Sequence, residues 1–298
     1  MTTLSLSEAP ATLPAEAQQR WVQDDAADLK VGDLWLLSWN RDALAMVVIT
    51  KVIDDYILAC PVTLPTDPAF APAVVHEVTP LGLPLTIWPG IETGLGKHLL
   101  RRNLGSLLSE TTVRLLRRYA EDGEESPLPV ADGNYNDDGN PEHLRGLLAY
   151  MQGLCFHEWP TDAPQDAVIS ADVIAQQGAG IPFMTNTLGV DVPRARALLR
   201  QEAIPTDAEI AGLASAWNLE PSALLSASRD DASQTLIEPE FKPLLDQVMA
   251  AKGIDERAAR RRSQQEYALA ARAAQPNDRI ARMRAAIERV LRASDGTA

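Results

Sequence analysis

The sequence predicts an α+β fold in two domains, a small antiparallel β-barrel with a closing helix followed by an all-α domain. Three observations carry this. Between residues 33 and 88, short runs dense in β-branched and aromatic residues alternate with tight turns, which favours an antiparallel barrel over a helix-crossed parallel sheet. The stretch EDGEESPLPVADGNYNDDGN, from Glu121 to Asn140, holds seven acids and no base, together with the Gly, Asn and Pro of a boundary. Beyond it the apolar period becomes helical. At 298 residues and 46% hydrophobic, the chain has room for about two domains with cores of their own.

Residues 1–29, rich in Ala, Thr, Ser and acids, read as a tail with one helical turn around Glu16–Val22 that docks Trp21. The barrel is expected over 30–120. Its strands are Asp33–Trp39 (DLWLLSW), Ala43–Val52 (ALAMVVITKV), Tyr56–Val62 (YILACPV), His76–Val78 and Leu83–Trp88, punctuated by Asn40-Arg41-Asp42, Asp54-Asp55, Pro80, Gly82 and Pro89-Gly90. SETTVRLLRRY, Ser109–Tyr119, opens with an N-cap serine and sets Val113, Leu115, Leu116 and Tyr119 on one stripe, which predicts the closing helix. Residues 121–140 are expected to be an acidic linker. A helical domain over 141–234 begins with a helix at Pro141–Leu154, and 235–298 forms a basic helical tail from Leu236–Ala274 and Asp278–Arg292.

Charge narrows the function. The chain carries 27 Lys and Arg against 41 Asp and Glu, a net −14, which argues against a protein coated in basic surface. From residue 250 onward, however, eleven bases face six acids. A chain so polarised can hold an anion locally while being acidic as a whole. No apolar run approaches the ~18–20 residues that span a bilayer. The N-terminus, with Glu8 and Glu16 before its first arginine, lacks the basic start of a signal peptide, so a cytoplasmic protein with no membrane partner is expected. Cys60 and Cys155 are too few for a disulfide framework or a four-thiolate metal site.

No cofactor or metal is expected either. Gly90–His98 has one residue too many for a phosphate-cradling loop, and His98 replaces its Ser/Thr. Asp132-x-Asn134-x-Asn136 begins like a calcium loop, but Asp137 stands where glycine must turn. Cys155, His157 and Glu158 have no second ligand cluster.

The densest local signal is FMTNTLGVDVPRARALLRQEAIPTDAEIAGLASAWNLEPSALL, from Phe183 to Leu225. Gly189 suits the positive φ of a sharp turn, Asp191 caps the next helix, and Pro193 sits in that helix's first turn. Ala195, Leu198 and Leu199 face inward, and Arg194, Arg196, Ala197 and Arg200 outward. Thr206-x-x-Glu209 is a capping box opening a helix that buries Ile210, Leu213, Ala214 and Trp217. This run resembles the helix-turn-helix domain of the Cro/repressor (Xre) family. The resemblance implies double-stranded operator DNA as partner, with Val192, Arg194, Arg196 and Ala197 facing bases and Arg200 facing a phosphate. The segment from Asp166 to Arg229 holds four arginines and seven acids. Non-specific phosphate attraction is therefore expected from Arg260, Arg261 and Arg262 in the basic tail.

In the barrel, Gly32-Asp33-Leu34-Trp35, Ala43–Val48, Cys60-Pro61-Val62-Thr63 and Leu100–Ser109 follow the order of the MazF/PemK toxin family, and this third of the chain resembles it. The resemblance implies metal-independent cleavage of single-stranded RNA, with Arg41 and Thr63 at the matching catalytic places: a guanidinium for the phosphorane charge and a hydroxyl to position the phosphate. The Arg-Pro step of active members is absent, since Asp42 follows Arg41.

Taken together, the chain reads as a DNA-binding transcriptional regulator, a repressor or antitoxin-like protein, acting as a homodimer, with the barrel serving dimerisation or sensing. Two alternatives stand beside it. One is a MazF-like endoribonuclease regulated by the helical domain, and the other an acidic protein-interaction module of a toxin–antitoxin or phage-defence system, with a toxin or antitoxin partner.

Overall fold

A computed structural model describes residues 4–23, 28–155, 167–199, 203, 205–227, 235–273 and 279–293. The fold is α+β, and the chain divides into two compact units: Met1–Trp159 together with Ala232–Ala298, and Pro160–Asp231.

The first unit is built on β1 (Asp33–Trp39), β2 (Asp42–Val52), β3 (Tyr56–Thr63), β4 (Phe70–His76), β5 (Leu85–Ile87), β6 (Thr93–Gly96), β7 (Leu100–Ser106) and β8 (Val130–Asp132). All pair antiparallel in the order β7-β1-β2-β3-β5-β4-β8. The expected closed barrel is not what forms. The far edge of β3 is divided, Tyr56–Ala59 pairing with β6 and Val62–Thr63 with β5. Among the described residues the sheet remains open, ending at β7 and β8.

The strands read as apolar runs because the sheet is buried on both faces. Along β1, Leu34 and Leu36 enter one core with Met46, Val48 and Val62, while Trp35 and Leu37 enter the other with Val47, Ile49 and Ile57. Helix α1 (Ala15–Val22) and helix α2 (Glu110–Asp122) cover the first face through Ala17, Trp21, Val113 and Leu116. Ser109 caps α2 by accepting from the Thr112 amide at 3.1 Å, as its sequence predicts. Helix α3 (Asn140–Cys155) covers the second face with Leu147, Met151 and Leu154.

Several boundaries therefore move. One strand outside the expected set is β4, Phe70–His76, where Pro72 and two alanines mask the pattern; the sequence points instead to His76–Val78. The acidic stretch is not a linker, since its Val130 pairs with Val74 of β4. Helix α3, expected in the helical domain, belongs to the sheet because its apolar stripe is buried there.

The basic tail also belongs to the first unit. It comprises α9 (Lys242–Lys252), α10 (Glu256–Ala273) and α11 (Arg279–Arg292), which share a core of Phe241, Leu245, Val248, Met283 and Ile287. A buried charge cluster ties it to the sheet. Glu256 Oε1 accepts from Lys242 Nζ at 2.6 Å and from Arg260 Nη2 at 2.6 Å. Lys242 also donates to the carbonyls of Ser38 and His98, and Arg260 to that of Leu236. The remaining oxygen of Glu256 accepts from the Asn40 amide at 3.0 Å, while Asn40 Oδ1 accepts from the Glu256 amide at 2.8 Å. Lys242, Glu256 and Arg260 are all at most 1% exposed. Burial pushes Lys242 down to about 7, against the pull of Glu256.

The second unit pairs β9 (Ala167–Ile169) with β10 (Leu225–Ala227) and places α4 (Ala171–Gln176), α5 (Ile181–Leu188), α6 (Val192–Leu199), α7 (Asp207–Trp217) and α8 (Pro221–Leu224) between them in sequence. Its core joins Ile169, Met184, Ala195, Leu198, Leu213 and Leu224. No helix among the described residues is long and apolar enough to cross a membrane.

Candidate nucleic-acid interface

The turn between α5 and α6 forms as the residues dictate. Gly189 terminates α5 at φ 66° and its amide returns to the Thr185 carbonyl. Asp191 Oδ1 then accepts from the Arg194 amide at 2.8 Å and caps α6. Thr206 and Glu209 complete the capping box that opens α7. Phe183 of α5 stacks on Trp217 of α7 with centroids 5.5 Å apart, which sets α7 across the motif.

On α6, Ala195 and Leu198 are fully buried, so the opposite edge is fixed. Val192, Pro193 and Arg196 are exposed, and Ala197 is half-buried. Arg194 departs from its expected place facing bases. Its Nε and Nη2 donate to the two Glu209 oxygens at 2.9 and 2.8 Å. Its planar fork is thereby committed to a bidentate clamp between α6 and α7. Glu209 also accepts from the Thr206 amide at 2.7 Å, so it adds this clamp to the capping role that the sequence predicts for it. The signal for its second role was the arginine just after the Asp191 cap, within reach of an acid at the start of the next helix.

The Arg194 hydrogen bonds hold the Glu209 carboxyl at about 2, well below its usual value. Because that folded value lies below the unfolded one, the clamp stabilises fully above about pH 4.5 and is lost as pH falls toward 2. Glu209→Gln should destabilise the second unit by about 1–3 kcal/mol near pH 7, with the deficit against wild type shrinking as the pH falls below about 4.5. Urea midpoints followed by tryptophan fluorescence at pH 7 and pH 3 check both parts.

Of the other sequence-predicted contacts, Arg200, with His157 and Glu158, lies outside the described residues. Arg261 and Arg262 are exposed on α10. Arg260 is not a phosphate contact, because its guanidinium is buried against Glu256 and the Leu236 carbonyl. The spacing Glu256–Arg260 was legible as an i,i+4 pair, but its burial under Lys242 and Asn40 was not.

The two residues of the ribonuclease reading are not brought together. Thr63 is 2% exposed, and its hydroxyl accepts from Trp88 Nε1 at 3.1 Å. Because Met46 pairs with Val62, Thr63 lies beside Ala45. Ala45 is four positions beyond Arg41, which lies outside β2 in the turn that joins it to β1.

No family model, no curated protein and no solved structure matches the chain.

Proposed function

We propose that the chain is a DNA-binding regulator whose Pro160–Asp231 unit lays α6 in the major groove. One observation carries this reading: α5 and α6 are joined by a capped glycine turn, braced by α7, with the Val192–Arg196 edge left exposed. Arg196 is the described arginine on that edge suited to a guanine or a phosphate, and Val192 and Ala197 offer apolar contact to a thymine methyl. Arg194 acts as a positioning residue that holds α6 on α7. Arg261 and Arg262 supply phosphate contacts, and Arg260 has no such part. Since one recognition helix touches few base pairs, the active species is a homodimer on paired half-sites.

Fluorescence anisotropy with duplex DNA from upstream of the protein's own gene tests the proposal. Arg196→Ala should weaken specific binding by about 1–3 kcal/mol while leaving the unfolding midpoint in place. Unchanged affinity in that variant, or no duplex preference at near-physiological salt, refutes the reading. The ribonuclease reading is not carried forward, because the Thr63 hydroxyl is buried and engaged by Trp88.

A further inference from the structure

Two independent features of the first unit meet at Arg41. The first is backbone strain. Trp39 pairs with Asp42, and the central residues Asn40 and Arg41 both take positive φ, 52° and 69°. Asn-Gly is the favoured pair for this turn, because glycine has no Cβ to press on the following carbonyl. Arginine gains nothing there from its backbone. The turn cannot relax, since Asn40 is held in reciprocal hydrogen bonds by Glu256.

The second feature is a cleft of about 800 Å³ whose walls come from residues 4–7, the β1–β2 turn, β7 and α9. That volume falls within the ~300–1,000 Å³ of small-molecule sites. Arg41 lines it together with Arg101, Arg102, Asp42 and Asp246. Arg101 is held by Asp246 at 2.9 Å, and Arg102 donates to the carbonyls of Leu6 and Trp21, so both charges are fixed in the wall. Arg41 is exposed, and among the described residues no hydrogen bond or ion pair engages its guanidinium. With three guanidiniums against two carboxylates, the cleft attracts a multiply charged oxyanion more strongly than a single carboxylate.

We propose that this cleft binds a small phosphorylated molecule, with Arg41 as its primary contact. A strained position that glycine would fill more easily has kept an arginine because of what the side chain holds. The site lies wholly within the first unit and does not depend on what the second unit binds.

Isothermal titration of the full chain with inorganic pyrophosphate, at constant ionic strength, tests it. Wild type should show one saturable site, and Arg41→Gly should bind at least about tenfold more weakly through loss of a charge-assisted contact. The same variant should keep or raise the unfolding midpoint, because it restores Asn-Gly to the turn. Asp42→Asn, which removes a negative charge from the wall, should bind more tightly. The proposal is overturned by the absence of saturable binding, by equal affinity in Arg41→Gly, by a lowered midpoint in that variant, or by binding of an oligoribonucleotide without binding of pyrophosphate.

Discussion

Replacing Glu256 by glutamine is expected to cost the first unit about 3–5 kcal/mol, the usual penalty when one member of a buried ion cluster is removed. The carboxylate stands between Lys242 and Arg260 and also accepts from the Asn40 amide. Glutamine keeps the shape but leaves two buried cations facing each other. Lys242 offers partial relief, since its ammonium already titrates at about 7 in the native protein. Its folded value lies below the unfolded one, so its own contribution to stability rises with pH between about 7 and 10.5. The Gln variant's deficit should accordingly be larger at pH 6 than at pH 9. Urea unfolding at both values checks this, and a deficit independent of pH would show that Lys242 keeps its proton throughout.

Gly32→Ala should be nearly as damaging, by about 3 kcal/mol or more, combining left-handed strain with an overpacked contact. Gly32 precedes β1 at φ 89°, and an added Cβ would lie 2.0 Å from the Leu108 carbonyl oxygen. The residue cannot simply shift. Its amide donates to the Ile49 carbonyl at 2.8 Å, and its own carbonyl accepts from the amides of Leu107 and Leu108 at 2.9 Å each. It thus joins β1, β2 and the entry to α2 at one point. Gly123→Ala provides the control, since φ there is 70° but nothing lies within 4 Å of the new Cβ. It should cost only the strain, about 1–2 kcal/mol. Thermal unfolding of the two variants separates backbone conformation from crowding.

How far the sequence could be read follows from which forces are local. β1, β2 and β3, the Ser109 cap, the Gly189 turn and the Thr206–Glu209 box were legible because each is decided within a few residues by side-chain burial or by a cap. The continuous apolar runs of β1 and β2 also carried the information that both faces are covered, although the tight turns pointed to a small antiparallel barrel. β8 was hidden because a charged, Pro-rich stretch pairs through backbone groups that have no side-chain signature. Domain membership was the largest loss. The tail arginines looked like a solvent-facing phosphate grip, yet Arg260 is buried through contacts whose partners lie as far away as His98. At the candidate interface the exposed edge of α6 followed from its apolar period. The capture of Arg194 did not, because the same cap glutamate serves two geometries at once.

The reciprocal bonds between Asn40 and Glu256 span 216 positions. During synthesis at ~5–20 residues per second, the first hairpin therefore waits roughly 10–40 s for the acid that secures its bend. Pro160–Asp231 emerges within that interval and holds its own core, so it can mature on the ribosome while the sheet is still lacking its last partner. Truncation after that unit would leave the Ser38 and His98 carbonyls without their lysine, a nascent chain for chaperones rather than a shorter working protein.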